Sequence, residues 1–223
     1  MTIQEHPGLR IIVSDKRDGN MRITNNPAPI EALENQTKIA SALDLPFTQA
    51  LRINTTYGRP SYTEYLANPD PFTHNIAEIN HAPVSDGILV SNSDTGIILT
   101  LADCLGIVLF DPTNRLLMLV HSGRRNIGQD GPKLAVEFMK QHGADPSQIH
   151  AYFSPSADAD VYPLYKYDNK SQSEVATEQL LAAGIPADHI HPCDNDISSS
   201  YNLYWSNHQD DKSDRFVIAV RMT

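Results

Sequence analysis

The chain has 223 residues, 40% hydrophobic and 20% charged, which suits one domain with a sizeable core. Its formal net charge is −10 and it carries no Lys/Arg cluster, which argues against nucleic acid or an anionic membrane surface as partner. No apolar run reaches the roughly 18–20 residues of a membrane span. Residues 1–8 lack the basic start and apolar core of a signal peptide, and Cys104 and Cys193 cannot build a disulfide framework. The expectation is a soluble cytoplasmic protein with free thiols and a single domain over residues 1–223.

Residues 9–13 and 21–24 read as a short strand pair around a polar turn at 14–20. Pro27 and Pro29 open a helix that runs to Leu43, with Pro46 just beyond its end. Residues 51–56 read as a strand, and 57–83, rich in Pro, Asn and aromatics, as a long covering loop. Strand signal is then dense over 87–91, 96–101, 105–110 and 115–120. A helix follows, with Pro132 in its first turn and Gly143 at its end. Residues 149–153 are a strand and 171–183 a helix ended by Gly184 and Pro186. Residues 190–192, 201–205 and 216–220 supply the last strands. Helices interspersed with hairpins predict an α/β layered domain with a mixed sheet, since the central connections are too short for parallel crossovers.

Candidate chemistry concentrates on one hairpin. Asp111-Pro112-Thr113-Asn114 carries turn residues between two apolar strands. If Asp111 pairs with Asn114, Cys104 lies directly across from His121, with Cβ atoms about 4.5–5.5 Å apart. A thiol beside an imidazole makes a nucleophile or two ligands of one zinc ion. The following segment, Ser122-Gly123-Arg124-Arg125-Asn126-Ile127-Gly128, leads into a helix, and its guanidinium groups and backbone N–H groups suit an anion. Asp103 is a conceivable acid. His189-Ile190-His191 is the sole His-X-His pair and reads as one face of a strand or a polar loop.

Thr100-Leu101-Ala102-Asp103-Cys104, followed by Val120-His121-Ser122-Gly123-Arg124-Arg125, resembles the paired T-A-D-C and A-H-A-G-W-R signature of the multicopper polyphenol oxidase, or laccase-domain, family. Ser85-Asp86-Gly87-Ile88-Leu89-Val90 resembles that family's A-D-G-L-V-T strand. Weaker similarity runs through Ser154-Pro155-Ser156, Tyr162, Ala183-Gly184-Ile185 and Tyr204-Trp205-Ser206 to Arg215-Phe216. The resemblance implies an α/β/α sandwich related to cysteine-dependent deamidases. It also implies a purine nucleoside phosphorylase, with adenosine deaminase activity in several members, and thus a purine nucleoside and phosphate as ligands. The implied zinc site takes Cys104, His121 and a His expected within residues 55–58, where this chain has Tyr57; His74 or His81 are substitutes for it. Phosphate is expected on Arg125 and Arg124 with His208.

Departures from the pattern accompany the match. Arg124 stands where the signature has Trp, Gln36 where a helix motif has Arg, and Asn207-His208 where H-R or Y-R is usual. Three readings follow: the phosphorylase; a cysteine hydrolase or deamidase with Cys104 as nucleophile and His121 as base; and a catalytically inactive binding relative. Multicopper oxidase chemistry is least supported, because it needs several His-X-His ligand pairs.

Overall fold

A computed structural model describes residues 1–70, 83–193, 203–208 and 214–223. Its strands begin with β1 (Thr2–His6), β2 (Leu9–Val13), β3 (Ala50–Arg52), β4 (Tyr65–Ala67) and β5 (Gly87–Val90). They continue with β6 (Gly96–Leu101), β7 (Leu105–Asp111), β8 (Leu116–Ser122), β9 (His150–Phe153), β10 (Ile190–His191) and β11 (Phe216–Met222). The α-helices are α1 (Pro29–Ala42), α2 (Arg124–Ile127), α3 (Gly131–Gln141) and α4 (Gln172–Ala182).

The strands form two mixed sheets, ordered β1-β2-β11-β6-β3 and β10-β9-β7-β8-β5-β4. The layered α/β architecture with helices outside is the one expected; the middle holds two sheets where one was envisaged. Alternation along each strand explains the layering. On β7 and β8, Val108, Phe110, Leu117 and Leu119 face the other sheet, where they meet Leu9, Ile11, Ile97 and Ile218. Ile107, Leu109, Met118 and Val120 face outward against Val136, Met139 and Leu180 of α3 and α4. Ile12, Ile98 and Val217 on the first sheet pack against Ile39 and Leu43 at α1. Central strands buried on both faces read as continuous apolar runs, which is why β5 to β8 stood out in the sequence.

One expected strand does not form, and another is only partly described. Residues 21–24 were paired in expectation with 9–13, but both edges of β2 are taken: β1 folds back on it through Gly8 (φ 78°), and β11 covers the other side. Met21 instead donates its N–H to Arg215 O. The expected strand at 201–205 begins outside the described residues, and Leu203 to Trp205 are turn and irregular backbone. The long segment 57–83 does include β4, which pairs parallel with β5. His74 and His81 lie outside the described residues.

The hairpin register also differs from expectation. Asp111 pairs with Leu116, so the loop has four residues, 112–115, with Arg115 at φ 52°. The cause is the Asp111 side chain: its Oδ1 accepts the N–H groups of Thr113 and Asn114, 3.0 and 2.9 Å away, so Asp111 caps its own turn rather than closing on Asn114. The shift is two residues, and an even shift keeps every side chain on its face.

Candidate active site

The corrected register sets Gly106 opposite His121 and Leu105 opposite Ser122. Cys104 is therefore the diagonal neighbour of His121, not its direct partner. The two still converge. A Cβ placed on Gly123 would stand 2.9 Å from Cys104 Sγ and 3.1 Å from His121 Cε1, so thiol and ring close on one point where only glycine fits. Gly106 answers a different demand: a Cβ there would stand 3.0 Å from both Ile218 Cγ2 and Leu101 Cδ1 of the facing sheet. Burial pushes the Cys104 thiol up to about 12 and the His121 imidazole down to about 4. At neutral pH this is a thiol beside a neutral imidazole, not a thiolate–imidazolium pair.

Between β6 and β7 the chain turns sharply at Asp103, whose φ of 69° is in the left-handed region that Asp tolerates better than most residues. The turn buries its carboxylate and aims it at residues 206–208. Oδ1 accepts from Ser206 Oγ at 2.6 Å; Oδ2 accepts from Asn207 N at 2.8 Å and pairs with His208 Nδ1 at 3.0 Å. His208 keeps 41% of its side-chain surface and packs edge-on against Tyr162, centroids 5.0 Å apart. Segment 203–208 is itself tied down from β2's side, where Lys16 N donates to Leu203 O and Lys16 Nζ lies 4.9 Å from the Trp205 ring.

Asp103, Cys104, His121, Tyr57, Tyr162 and His208 all line one cleft of about 700 Å³. That volume matches a drug- or nucleoside-sized ligand. Arg22, Arg52 and Arg215 line it too, and the sequence reading named none of them as ligands for an anion. Arg52 is fully embedded: its Nε and a terminal nitrogen donate to Gln36 Oε1 at 2.7 and 2.6 Å, and Gln36 Nε2 donates to Met21 O. Burial lowers the Arg52 guanidinium to about 9, still charged at pH 7. The signal was present as the odd Gln36, whose role is to hold a cation supplied from β3.

Arg124 and Arg125 line a smaller adjoining cavity of about 120 Å³ that shares Cys104, His121, Tyr57 and Tyr162 with the cleft. Their side chains are partly committed. Arg125 donates to Tyr62 Oη at 2.8 Å, and Arg124 lies 5.3 Å from the Tyr162 ring. The helix that follows Gly123, α2, is four residues long, so the anion site expected at a helix start has little dipole behind it. Asp86 is a further residue the sequence reading quoted without a role. It is fully buried, its Oδ1 accepts from Arg59 at 2.6 Å, and its backbone O accepts the N–H of His121 at 2.8 Å. It thus fixes the strand end that carries the ring.

Among the described residues, those lining the cleft do not complete a zinc site, and His74 and His81 lie outside the described residues. His121 Nδ1 is buried without a hydrogen-bond partner, as an imidazole awaiting a ligand would be, and Cys104 Sγ is close. Structural and catalytic zinc sites take three or four protein ligands. Among the described residues no three His, Cys, Asp or Glu side chains converge. Tyr57 lines the cleft but is 72% exposed, and its hydroxyl is pushed up, chiefly by Cys104, away from the phenolate a metal would need.

No helix among the described residues is long and apolar enough to cross a membrane. The family model described as multi-copper polyphenol oxidoreductase laccase matches residues 14–172. The purine nucleoside phosphorylase YlmD of Bacillus subtilis is 28% identical over 81 residues, 36% of this chain and 29% of that protein. The purine nucleoside phosphorylase ORF3 of Streptomyces griseus is 27% identical over 154 residues, 69% of this chain and 57% of that protein. The matched stretch thus spans between about a third and somewhat over half the length of these relatives. Among solved structures, the hypothetical protein YfiH of Bacillus licheniformis superposes with a TM-score of 0.85 at 17% identity, covering 96% of this chain and 93% of that one. YlmD from Geobacillus stearothermophilus gives 0.81 at 20% identity, covering 97% and 93%. The model match covers well over half of the sequence and includes the Cys104 and His121 motifs, so the chain belongs to the multi-copper polyphenol oxidoreductase laccase family.

Proposed function

We propose that the chain is a purine nucleoside phosphorylase acting on adenosine- or inosine-type nucleosides. The observation that carries this reading is the Asp103–His208 pair, set in the same cleft as Arg22, Arg52 and Arg215. Phosphorolysis breaks the bond between C1′ and the purine nitrogen and forms one between C1′ and a phosphate oxygen. The bonding electrons leave with the base, so a proton must reach the purine ring as it departs. His208 supplies it from Nε2, while the Asp103 carboxylate accepts from Nδ1 and fixes the orientation of the ring. His208 is therefore assigned the proton, and phosphate is assigned to Arg124 and Arg125 of the smaller cavity, with Arg22, Arg52 and Arg215 of the main cleft as the alternative cradle. Cys104 and His121 act as neutral groups on the cleft wall that orient the sugar or base.

The cysteine-hydrolase reading is less well supported, because a buried, neutral thiol is a weak nucleophile and no cation sits against it closely enough to offset burial. The deciding experiment incubates the full chain with inosine or adenosine, with and without phosphate, and follows free base and ribose 1-phosphate. Base release that requires phosphate is expected; release of hypoxanthine from adenosine would add a deaminase step. No phosphate-dependent release from any purine nucleoside overturns the proposal.

A further inference from the structure

The main cleft carries positive charge beyond what a single phosphate requires. Arg22, Arg52 and Arg215 line it, and Asp103 is the one carboxylate among its described lining residues, in a chain of formal net charge −10. Two neutral amides draw these cations together. Asn20 Oδ1 accepts the backbone N–H of Arg22 at 2.9 Å and that of Arg215 at 3.1 Å, so the segment after β2 and the residue before β11 close on one oxygen. Gln36 Oε1 accepts from Arg52 while its Nε2 donates to Met21 O, which ties the cation of β3 to the residue before Arg22. Arg52 is only 7% exposed, yet the acceptor that orients its fork is an amide rather than a carboxylate. Burial and the neighbouring charge of Arg22 both hold the Arg215 guanidinium below its ordinary range. Gathering like charges in a buried setting opposes folding, and a bound anion offsets that cost.

The smaller cavity has cations of its own. Arg59, Arg124 and Arg125 line it and not the main cleft, whereas Arg22, Arg52 and Arg215 line the main cleft and not the smaller cavity. Cys104, His121, Tyr57 and Tyr162 are common to both. Phosphorolysis consumes one inorganic phosphate, so one group of arginines suffices for it. The other calls for an anion carried by the substrate itself. We infer that the main cleft takes a purine nucleoside monophosphate, whose phosphate is held by Arg22, Arg52 and Arg215; the purine nucleoside part of that ligand rests on the phosphorylase reading. Guanidinium groups suit phosphate because their N–H donors match two of its oxygens at once. A cleft of about 700 Å³ has room for a nucleotide. In the reaction the bond between C1′ and the purine nitrogen breaks, and one forms between C1′ and an oxygen of the inorganic phosphate in the smaller cavity. The electron pair leaves with the base, which takes its proton from His208. The products are free purine and a ribose bisphosphate, with one phosphoryl group from each reactant.

The test titrates the full chain by calorimetry, in buffer free of inorganic phosphate, with adenosine, adenosine 5′-monophosphate and its 3′ isomer. One of the two nucleotides is expected to bind about tenfold or more tightly than adenosine. Once phosphate is added, that nucleotide should be cleaved with a higher kcat/KM than adenosine, releasing ribose bisphosphate. Arg22→Gln and Arg215→Gln, both at half-buried positions, should each cut the preference for nucleotide about tenfold. Arg124→Gln should leave that preference in place and raise KM for inorganic phosphate. Nucleotides that bind no more tightly than adenosine, or a preference untouched by either Arg22→Gln or Arg215→Gln, overturn the inference. Phosphate-dependent cleavage of inosine with no preference for nucleotide keeps the phosphorylase and removes the second cradle. Preferential nucleotide binding that Arg22→Gln abolishes, in a chain that cleaves neither ligand, removes the phosphorylase and keeps the cradle.

Discussion

Asp103→Asn isolates the charge that the proposed chemistry needs. Asparagine tolerates the left-handed backbone at this position, and its amide can reproduce the bonding pattern. Its Oδ1, in place of Oδ2, still accepts from Asn207 N and His208 Nδ1; its NH₂, in place of Oδ1, donates to Ser206 Oγ. The fold should therefore survive, and only the negative charge 3.0 Å from the ring is lost. A hydrogen bond to a charged group contributes about 1.5–3 kcal/mol and a neutral one about 1 kcal/mol. The difference, about 0.5–2 kcal/mol, should appear where His208 gives up its proton, lowering kcat about 2–30-fold. His208→Gln removes the proton altogether and should cost about 10²–10⁴-fold. The assay is steady-state phosphorolysis of inosine, with kcat and KM for nucleoside measured separately. A structural role alone would raise KM or lower the thermal midpoint. An Asp103→Asn enzyme with kcat within twofold of the parent would refute the assignment of Asp103 as the positioning residue.

Gly123→Ala forces a methyl to 2.9 Å from Cys104 Sγ and 3.1 Å from His121 Cε1; overpacking of this kind costs about 1–3 kcal/mol, to be read from denaturant unfolding. Gln36→Ala takes the acceptor from two Arg52 hydrogen bonds in a buried setting and should destabilise by about 1–3 kcal/mol, with KM for phosphate rising if Arg52 helps to cradle it. Cys104→Ala should lower activity; full activity would remove every enzymatic role of the thiol. Asp15, buried and capping the turn that carries Lys16, is held down at about 2 from an ordinary 3.8, first by its Arg17 hydrogen bond. Its folded-state pKa is depressed, so the stability it adds is present above pH 4 and lost as pH falls towards 2. Asp15→Asn should flatten that part of the acid-unfolding curve, by about 1 kcal/mol after allowance for the exposed Arg17.

Legibility in the sequence followed burial. Strands buried on both faces, β5 to β8 and β11, are runs of Val, Ile and Leu bounded by Gly and Asp, and their limits were readable to within two residues. The edge strand β1, Thr-Ile-Gln-Glu-His, is almost wholly exposed and carries no apolar pattern, so nothing in it announced a strand. β4 is three half-buried residues inside a Pro- and Asn-rich stretch. The second sheet was not legible for a related reason: apolar runs show that both faces are covered, but not whether a helix or another sheet covers them.

At the site, what could be read was whatever depended on facing rather than on exact opposition. The turn residues suggested a register two residues from the one formed, yet Cys104 and His121 kept the same face because the strand period is two. A one-residue error would have turned the thiol towards α3 and α4 and dissolved the pair. Asp103 and Arg124 were found as neighbours of those motifs. Arg22, Arg52 and Arg215 were not, since they come from the segment after β2, from β3 and from the residue before β11, and only the strand order of the first sheet brings them to one cleft. The Asp103–His208 contact spans 105 residues and joins a strand-end turn to a loop near the end of the chain, a juxtaposition with no local period to betray it. It is also the contact on which the proposed proton delivery depends, so the chemistry rests on the part of the site that the sequence kept least visible.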